Sequence, residues 1–336
     1  MSLHAVVLAG GTGSRLWPRS TPEAPKQFQS LLADAPLLAL AVERGARFAG
    51  DRVWVVTDER YTDTVRQLAP LVEPQRVLAE PCPRGTLGAV MLAAAAVQAT
   101  DPDAVIVVLP SDHLCHDEER LAGVIQMLAP HLGAGDIGLV ATPTSIVNPA
   151  FGHVRPGQIL DKSDVGEIAA VEGYIEKPAS AAELHDGPWL RNMGIVVGHT
   201  RALLGAAPPD VAAAAERVAS GAPDADGAWE ALAADRIEDV VLPKSCALVV
   251  ACADVEWIDV GTWPALFERA DLEPTGNLVD GAVTVAEATG NVILSTGAPV
   301  AVIGVSDALI VVTPEQVLVC DRRHADRVRA ILDKPA

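Results

Sequence analysis

The sequence is short of aromatic rings, of cations and of cysteine. Phe, Trp and Tyr make up 4% of 336 residues while 50% are hydrophobic, so the apolar content is mostly Ala, Val and Leu. Side chains of this kind suit close-packed helix-on-sheet layers. Lysine and arginine number 25 against 44 aspartates and glutamates, a formal net charge of −19. Nucleic-acid backbones require clustered cations, so nucleic acid is not the expected partner. A small polyphosphate remains compatible, because backbone dipoles and a divalent cation can hold it inside an acidic protein. The five cysteines (Cys82, Cys115, Cys246, Cys252, Cys320) are scattered and odd in number, with no C-x-x-C. That usage points to reduced thiols in a cytoplasm. No apolar stretch reaches the ~18–20 residues of a membrane span. The apolar opening from His4 to Ala9 is too short for a signal peptide. The expectation is a cytoplasmic protein with no membrane partner.

What the chain does have is a first strand that runs into glycines: Val6-Val7-Leu8-Ala9-Gly10-Gly11-Thr12-Gly13-Ser14-Arg15-Leu16-Trp17-Pro18, followed by Pro25-Lys26-Gln27-Phe28. Glycines let the main chain approach a ligand and turn consecutive N–H groups toward anionic oxygens. Arg15 and Lys26 add positive charge where a triphosphate needs it. A dinucleotide loop reads G-x-G-x-x-G, and here Leu16 stands at the third glycine position, which disfavours an NAD-dependent oxidoreductase. No G-x-x-x-x-G-K-[ST] string is present. A glycine-rich turn without a ligand would leave Arg15 and Lys26 unexplained. The stretch closely resembles the signature of the sugar-1-phosphate nucleotidyltransferases. The Trp17-Pro18 pair and the Pro25–Phe28 ending are most similar to the mannose-1-phosphate guanylyltransferase branch.

Through residue 142 the pattern alternates. Strands are expected over 4–9, 52–57, 76–79, 104–109 and 136–142, and helices over 36–48, 59–69, 86–99 and 117–132. Continuous Val/Ile runs mean strands buried on both faces, hence a doubly wound, mostly parallel sheet covered by helices. Ligands of such sheets sit beyond the carboxyl ends of strands. Residues 151–176 and 191–198 read as β-structure, and 200–235 as helix and loop. From Gly276 short strands follow at 283–285, 291–294, 300–303, 309–312 and 317–320, then a helix near 323–333. Turn signals at this spacing imply a small β-rich domain. The boundary is expected at 270–276, giving domains 1–270 and 276–336. No long repeat is evident.

Nucleotidyl transfer leaves little covalent work to side chains; positioning and electrostatics dominate. Two carboxylates from separated segments are the expected anchors for Mg²⁺ or another divalent cation. Asp112 in Leu109-Pro110-Ser111-Asp112-His113 and Asp259 in Trp257-Ile258-Asp259-Val260-Gly261-Thr262-Trp263 both follow strands. The plain alternative for each is a helix N-cap. Both match family motifs, and the resemblance makes them the metal ligands. His113, Cys115 and His116 lack a fourth ligand at zinc spacing.

The resemblance further implies that Arg15, Lys26, Asp112, Lys177 and Asp259 are catalytic. The nucleotide would be bound by Leu8, Ala9, Gly10, Gly11, Thr12, Gly13, Glu80, Arg84, Thr86 and Ser111. The sugar would be bound by Gly152, Glu176, Asn192 and Gly194. Lys177 lies in Tyr174-Ile175-Glu176-Lys177-Pro178, similar to the family's Glu-Lys-Pro element. The chain departs from family patterns at Gly85–Gly88, at Arg191-Asn192-Met193-Gly194 and at Leu242-Pro243-Lys244-Ser245. The implied reaction is GTP plus mannose-1-phosphate giving GDP-mannose and pyrophosphate. The departures leave room for another hexose- or heptose-1-phosphate or another base. An idle sugar-nucleotide sensor is the alternative of a different class. No phosphomannose-isomerase module is expected to follow, and the β-rich end domain could serve as a homodimer surface.

Overall fold

The computed structural model describes residues 1–331 except 145–147, 185–186 and 245–247, so Ser245 and Cys246 lie outside the described residues. In chain order the strands are β1 (Leu3–Leu8), β2 (Val53–Asp58), β3 (Val77–Glu80), β4 (Val105–Pro110) and β5 (His113–Cys115). There follow β6 (Ile137–Pro143), β7 (His153–Lys162), β8 (Glu167–Ile175), β9 (Leu190–His199) and β10 (Leu248–Cys252). The last are β11 (Trp257–Asp259), β12 (Leu278–Ala286), β13 (Val292–Ile303), β14 (Ala308–Val312) and β15 (Val317–Asp321). They are distributed over two compact units. One comprises Met1–Gly10, Ala41–Ser111 and His116–Glu256; the other comprises Gly11–Leu40, Asp112–Cys115 and Trp257–Ala336.

The first unit holds a nine-stranded sheet in the order β3-β2-β1-β4-β9-β6-β10-β8-β7. Strands β3, β2, β1 and β4 pair in parallel, in keeping with the continuous apolar runs of β2 and β4. Beyond β4 the sheet is mixed: β9 runs antiparallel to β4 and β6, β10 runs parallel to β6, and β7 and β8 close the edge as an antiparallel pair. The strand order reverses between β1 and β4, the topological switch point of a doubly wound sheet. In that register Leu8 sits opposite Pro110. The glycine loop therefore leaves β1 at the same level as Ser111 leaves β4.

Helix Gly85–Thr100 is buried continuously from Leu87 to Val97. It is apolar on all sides, which marks a helix of the interior. Its core partners include Val6, Val56, Ile106, Leu139 and Trp229.

The second unit is built around Leu16, Leu31, Leu114, Ile258, Trp263 and Phe267, together with Leu294 and Val311 of the β-rich end. There β12, β13 and β14 pair in parallel and β15 joins antiparallel. The expected strands at 291–294 and 300–303 are one strand, β13, and β12 begins earlier than expected, at Leu278.

The structure exposes a short repeat: Thr275-Gly276-Asn277-Leu278 recurs as Thr289-Gly290-Asn291-Val292. The Asn291 amide donates to Asn277 Oδ1 (2.8 Å) and to the Val305 carbonyl (2.9 Å), and its Oδ1 accepts from the Ala308 N–H (2.9 Å). Successive coils are thereby stacked through a buried asparagine ladder in which the Asn291 side chain uses every polar atom. Gly276 and Gly290 turn at φ 68° and 72°, which favours glycine in both copies.

The final segment, expected as a helix near 323–333, is a 3₁₀ helix over Arg322–Ile331. Its buried residues Ala325 and Val328 are spaced at i, i+3, the eclipsed repeat of that helix. No helix among the described residues is long and apolar enough to cross a membrane.

Candidate active site

In the second unit, two short strands bring separated carboxylates together. Strands β5 and β11 pair antiparallel with Asp259 opposite His113, and the Val260 N–H donates to the Asp112 carbonyl at 3.0 Å. Ligand atoms of Asp112, His113 and Asp259 consequently lie within 4.8 Å of one another. Neither aspartate is an N-cap; the helix Trp263–Leu272 is capped by Thr262, whose hydroxyl accepts from the Ala265 N–H at 3.3 Å. Gly261 matters here because a Cβ at that position would come 2.5 Å from Asp259 Oδ1. His113 stands edge-on to Trp257, with ring centroids 5.0 Å apart. Two carboxylates offer the hard oxygen donors that Mg²⁺ or Mn²⁺ prefers, and His113 supplies a nitrogen donor that suits Mn²⁺ better. The donor set fits a divalent cation.

Lys26 belongs to the same centre. It opens a 3₁₀ turn over Lys26–Phe28, after Pro25 has preset the backbone. Its Nζ donates to the Val260 carbonyl at 2.9 Å and lies 2.6 Å from Asp112 Oδ2. Burial raises the Asp112 carboxyl, but the Lys26 ammonium and His113 outweigh it, so Asp112 titrates below the usual carboxylate range. The glycine loop is tied to the same turn. The Lys26 N–H donates to Ser20 Oγ (2.9 Å), Ser20 Oγ to the Thr12 carbonyl (3.1 Å), and Gln27 Nε2 to the Gly11 carbonyl (2.7 Å). Gly13 sits at φ 64°, and a Cβ there would collide with Ser20 Oγ. Leu16, at the position of the missing third glycine, is a fully buried core residue. Arg15 is exposed and forms no ion pair among the described residues.

In the first unit, Leu8 ends β1, Ala9 and Gly10 follow it, and Glu80 ends β3. A Cβ on Gly10 would lie 3.1 Å from Glu80 Oε2. Burial pushes the Glu80 carboxyl up to about 7; the nearby Asp58 adds to this and the Arg84 N–H opposes it. Arg84 directs its guanidinium to main-chain carbonyls, Nε to Trp229 at 3.0 Å and NH1 to Pro83 at 3.2 Å. Thr86 Oγ1 donates to Glu238 at 3.0 Å and accepts from the Ile237 N–H at 3.1 Å. The departures at 85–88 have a local cause. Gly85 sits at φ 73°, where a Cβ would strike the Asp235 carbonyl, and a Cβ on Gly88 would lie 3.2 Å from the Trp229 ring. Trp229 is fully buried and donates from Nε1 to the Cys82 carbonyl at 2.8 Å.

A further group forms around Gly152, where a Cβ would collide with Glu176 Oε2 and lie 3.2 Å from Tyr174 Oη. Tyr174 donates to Glu176 Oε2 at 2.8 Å, and Arg236 NH1 donates to Glu176 Oε1 at 3.2 Å. Lys177 Nζ is 3.8 Å from the same oxygen, on a backbone held at φ 46°. Buried Asn192 donates its N–H to the Gly152 carbonyl (2.9 Å), and its side-chain oxygen accepts from the Gly194 N–H (3.2 Å). Gly152, Glu176, Lys177, Asn192 and Gly194 are thus one constellation. Ser20, Gln27, Tyr174, His113, Trp229, Arg236 and Glu238 complete these groups without having been assigned a site role from sequence. Tyr174, Gln27 and His113 lie inside the recognised motifs, a signal that could have found them; Ser20, Trp229, Arg236 and Glu238 lie in no motif.

The nucleotidyl transferase family model matches residues 4–274, and a mannose-phosphate isomerase/GMP-like β-helix domain model matches 281–334. Mannose-1-phosphate guanylyltransferase ManC of Salmonella typhimurium is 29% identical over 351 residues, 99% of this chain and 73% of its own length. Alginate biosynthesis protein AlgA of Pseudomonas putida is 29% identical over 341 residues, 97% of this chain and 69% of its own. A solved structure from Thermus thermophilus, described as a mannose-1-phosphate geranyltransferase, has a TM-score of 0.87 at 27% identity, over 99% of both chains. With the glycine loop, the paired aspartates and a family match over most of its length, the chain belongs to the nucleotidyl transferase family.

Proposed function

We propose that the chain transfers a guanylyl group from GTP to mannose-1-phosphate, releasing pyrophosphate. The observation that carries this reading is the cluster of Lys26, Asp112 and Asp259 beside a glycine loop. The name of the Salmonella typhimurium relative, a mannose-1-phosphate guanylyltransferase, supports this substrate pair.

Asp112 and Asp259 would hold the divalent cation, which when bound neutralises charge at the α-phosphate. The main-chain N–H groups of the loop over Leu8–Gly13 would face the triphosphate. Arg15 and Lys26 would stabilise the departing pyrophosphate, and Lys177 would orient the sugar phosphate whose oxygen attacks in line. Glu176, fixed by Tyr174 and Arg236, would accept from sugar hydroxyls, with Asn192 and Gly194 shaping that pocket. Glu80 and Ser111 would contact the nucleoside, while Arg84 and Thr86 shape the segment behind it. We further assign a domain boundary at 270–276, supported by the turn in which the Gly276 N–H donates to the Glu273 carbonyl (2.8 Å). A cytoplasmic location agrees with the scattered cysteines and the lack of any C-x-x-C pair in the sequence.

The test is label transfer. With GTP carrying ³²P at the α-phosphate, mannose-1-phosphate and Mg²⁺, the label should appear in a nucleotide sugar. Label that stays in GTP with every sugar phosphate offered, despite tight nucleotide-sugar binding, would favour the sensor reading. Transfer to a different hexose- or heptose-1-phosphate would keep the chemistry and move the specificity to residues 85–88 and 191–193.

A further inference from the structure

Lys26 is the only buried lysine among the described residues, and it is not placed as a free phosphate-binding cation would be. Its Nζ lies 2.6 Å from Asp112 Oδ2 and donates to the carbonyl of Val260, the residue directly after Asp259. The ammonium therefore already occupies a cation position beside the ligand cluster of Asp112, His113 and Asp259.

We propose that Lys26 is the resident counter-cation of this site, and that the divalent ion must take Asp112 from it. The inference rests on the transfer reading above only in treating the cluster as a divalent-cation site. A carboxylate in partly buried surroundings cannot serve an ammonium and a divalent ion equally well, because the two cations repel at a few ångströms. With the ion on Asp112, Lys26 retains the Val260 carbonyl but lacks a counter-anion. A triphosphate supplies one. Metal and triphosphate therefore bind cooperatively: each removes part of the other's cost, and the coupling is reciprocal.

The packing gives the exchange a second consequence. A Cβ on Gly13 would lie 3.0 Å from Lys26 Cγ, so the lysine stem runs along the glycine loop. The same turn ties that loop through Ser20 and Gln27. Withdrawal of Nζ from Asp112 is thus felt by the segment whose N–H groups would face phosphate. Lys26 in this account is a positioning residue before the reaction and a phosphate ligand during it.

The experiment measures Mn²⁺ binding to the full chain without nucleotide by electron paramagnetic resonance, comparing wild type with Lys26→Met. The variant should bind Mn²⁺ about tenfold more tightly, and the factor by which GTP tightens Mn²⁺ binding should shrink correspondingly. Equal or weaker Mn²⁺ binding by a folded variant, or no binding by either protein, overturns the proposal. If the variant shows no cooperative melt, the ¹⁵Nζ signals of the wild-type lysines decide. The buried Lys26 signal should shift on saturation with Mg²⁺ and GTP, and an unchanged signal overturns the exchange. Label transfer without altered Mn²⁺ affinity sinks this inference alone. Altered affinity without label transfer sinks only the transfer reading.

Discussion

In the proposed reaction Asp112 and Asp259 share the divalent cation, but the fold holds them differently. Asp112 balances the buried ammonium of Lys26, whereas Asp259 is held beside Gly261 at the end of a short strand. Asp112→Asn should therefore lose activity and also about 3 kcal/mol of stability, the usual cost of stripping one partner from a buried pair. Asp259→Asn should lose activity by roughly a thousandfold. Pyrophosphate release and urea unfolding of both variants check this. Glu80 supplies a different residue-scale test. Its carboxyl is raised by burial to about 7, so between the ordinary glutamate value and that one the folded state binds more protons than the unfolded state. Stability from this group is full below the unfolded value and falls as pH rises through about 7. Glu80→Gln should match wild type near pH 5 and melt higher near pH 8, by an amount on the order of 3 kcal/mol. Thermal melts at both pH values decide; a variant less stable at pH 8 contradicts the assignment.

At the scale of elements, legibility follows periodicity. The continuous Val/Ile runs of β1, β2 and β4 announce parallel strands, and the loop after β1 announces the ligand side. Strand β5 is illegible because three residues carry no period, and the strand expected before Asp259, β11, does not announce its partner, which is remote in sequence. Yet their pairing is what joins Asp112 to Asp259, which motifs alone can name but not connect. The terminal 3₁₀ run reads only as a helix in sequence, because charged residues around two buried ones fit either helical period. The stacking of Gly276-Asn277 on Gly290-Asn291 is hard to see in sequence because the coils are few and share little besides these turns. Departures from the family pattern at 85–88 are legible as departures; what packs against Gly85 and Gly88, the Asp235 carbonyl and the Trp229 ring, lies far along the chain. Trp229→Ala would open a cavity against Gly88 and free the Cys82 carbonyl. It should cost about 3–5 kcal/mol. It should also raise KM for the nucleotide more than it lowers kcat, as steady-state kinetics on the folded variant would read.

For the whole molecule, the net charge of −19 opposes the approach of a polyanionic substrate, while the cations that favour it are few and local. Screening should therefore help association. At fixed free Mg²⁺, raising KCl from about 10 mM to about 150 mM should increase kcat/KM for GTP or leave it level, where a cation-lined site would show a steep fall. The central claim concerns the reaction itself, and one matrix tests it most directly. Pyrophosphate release is followed with Mg²⁺, offering mannose-1-phosphate with each common nucleoside triphosphate, then GTP with a panel of sugar-1-phosphates. The account predicts release that is fastest with GTP and mannose-1-phosphate, absent without a divalent cation and lost in Asp259→Asn. Release from no pair, or release that survives Asp259→Asn undiminished, would contradict it.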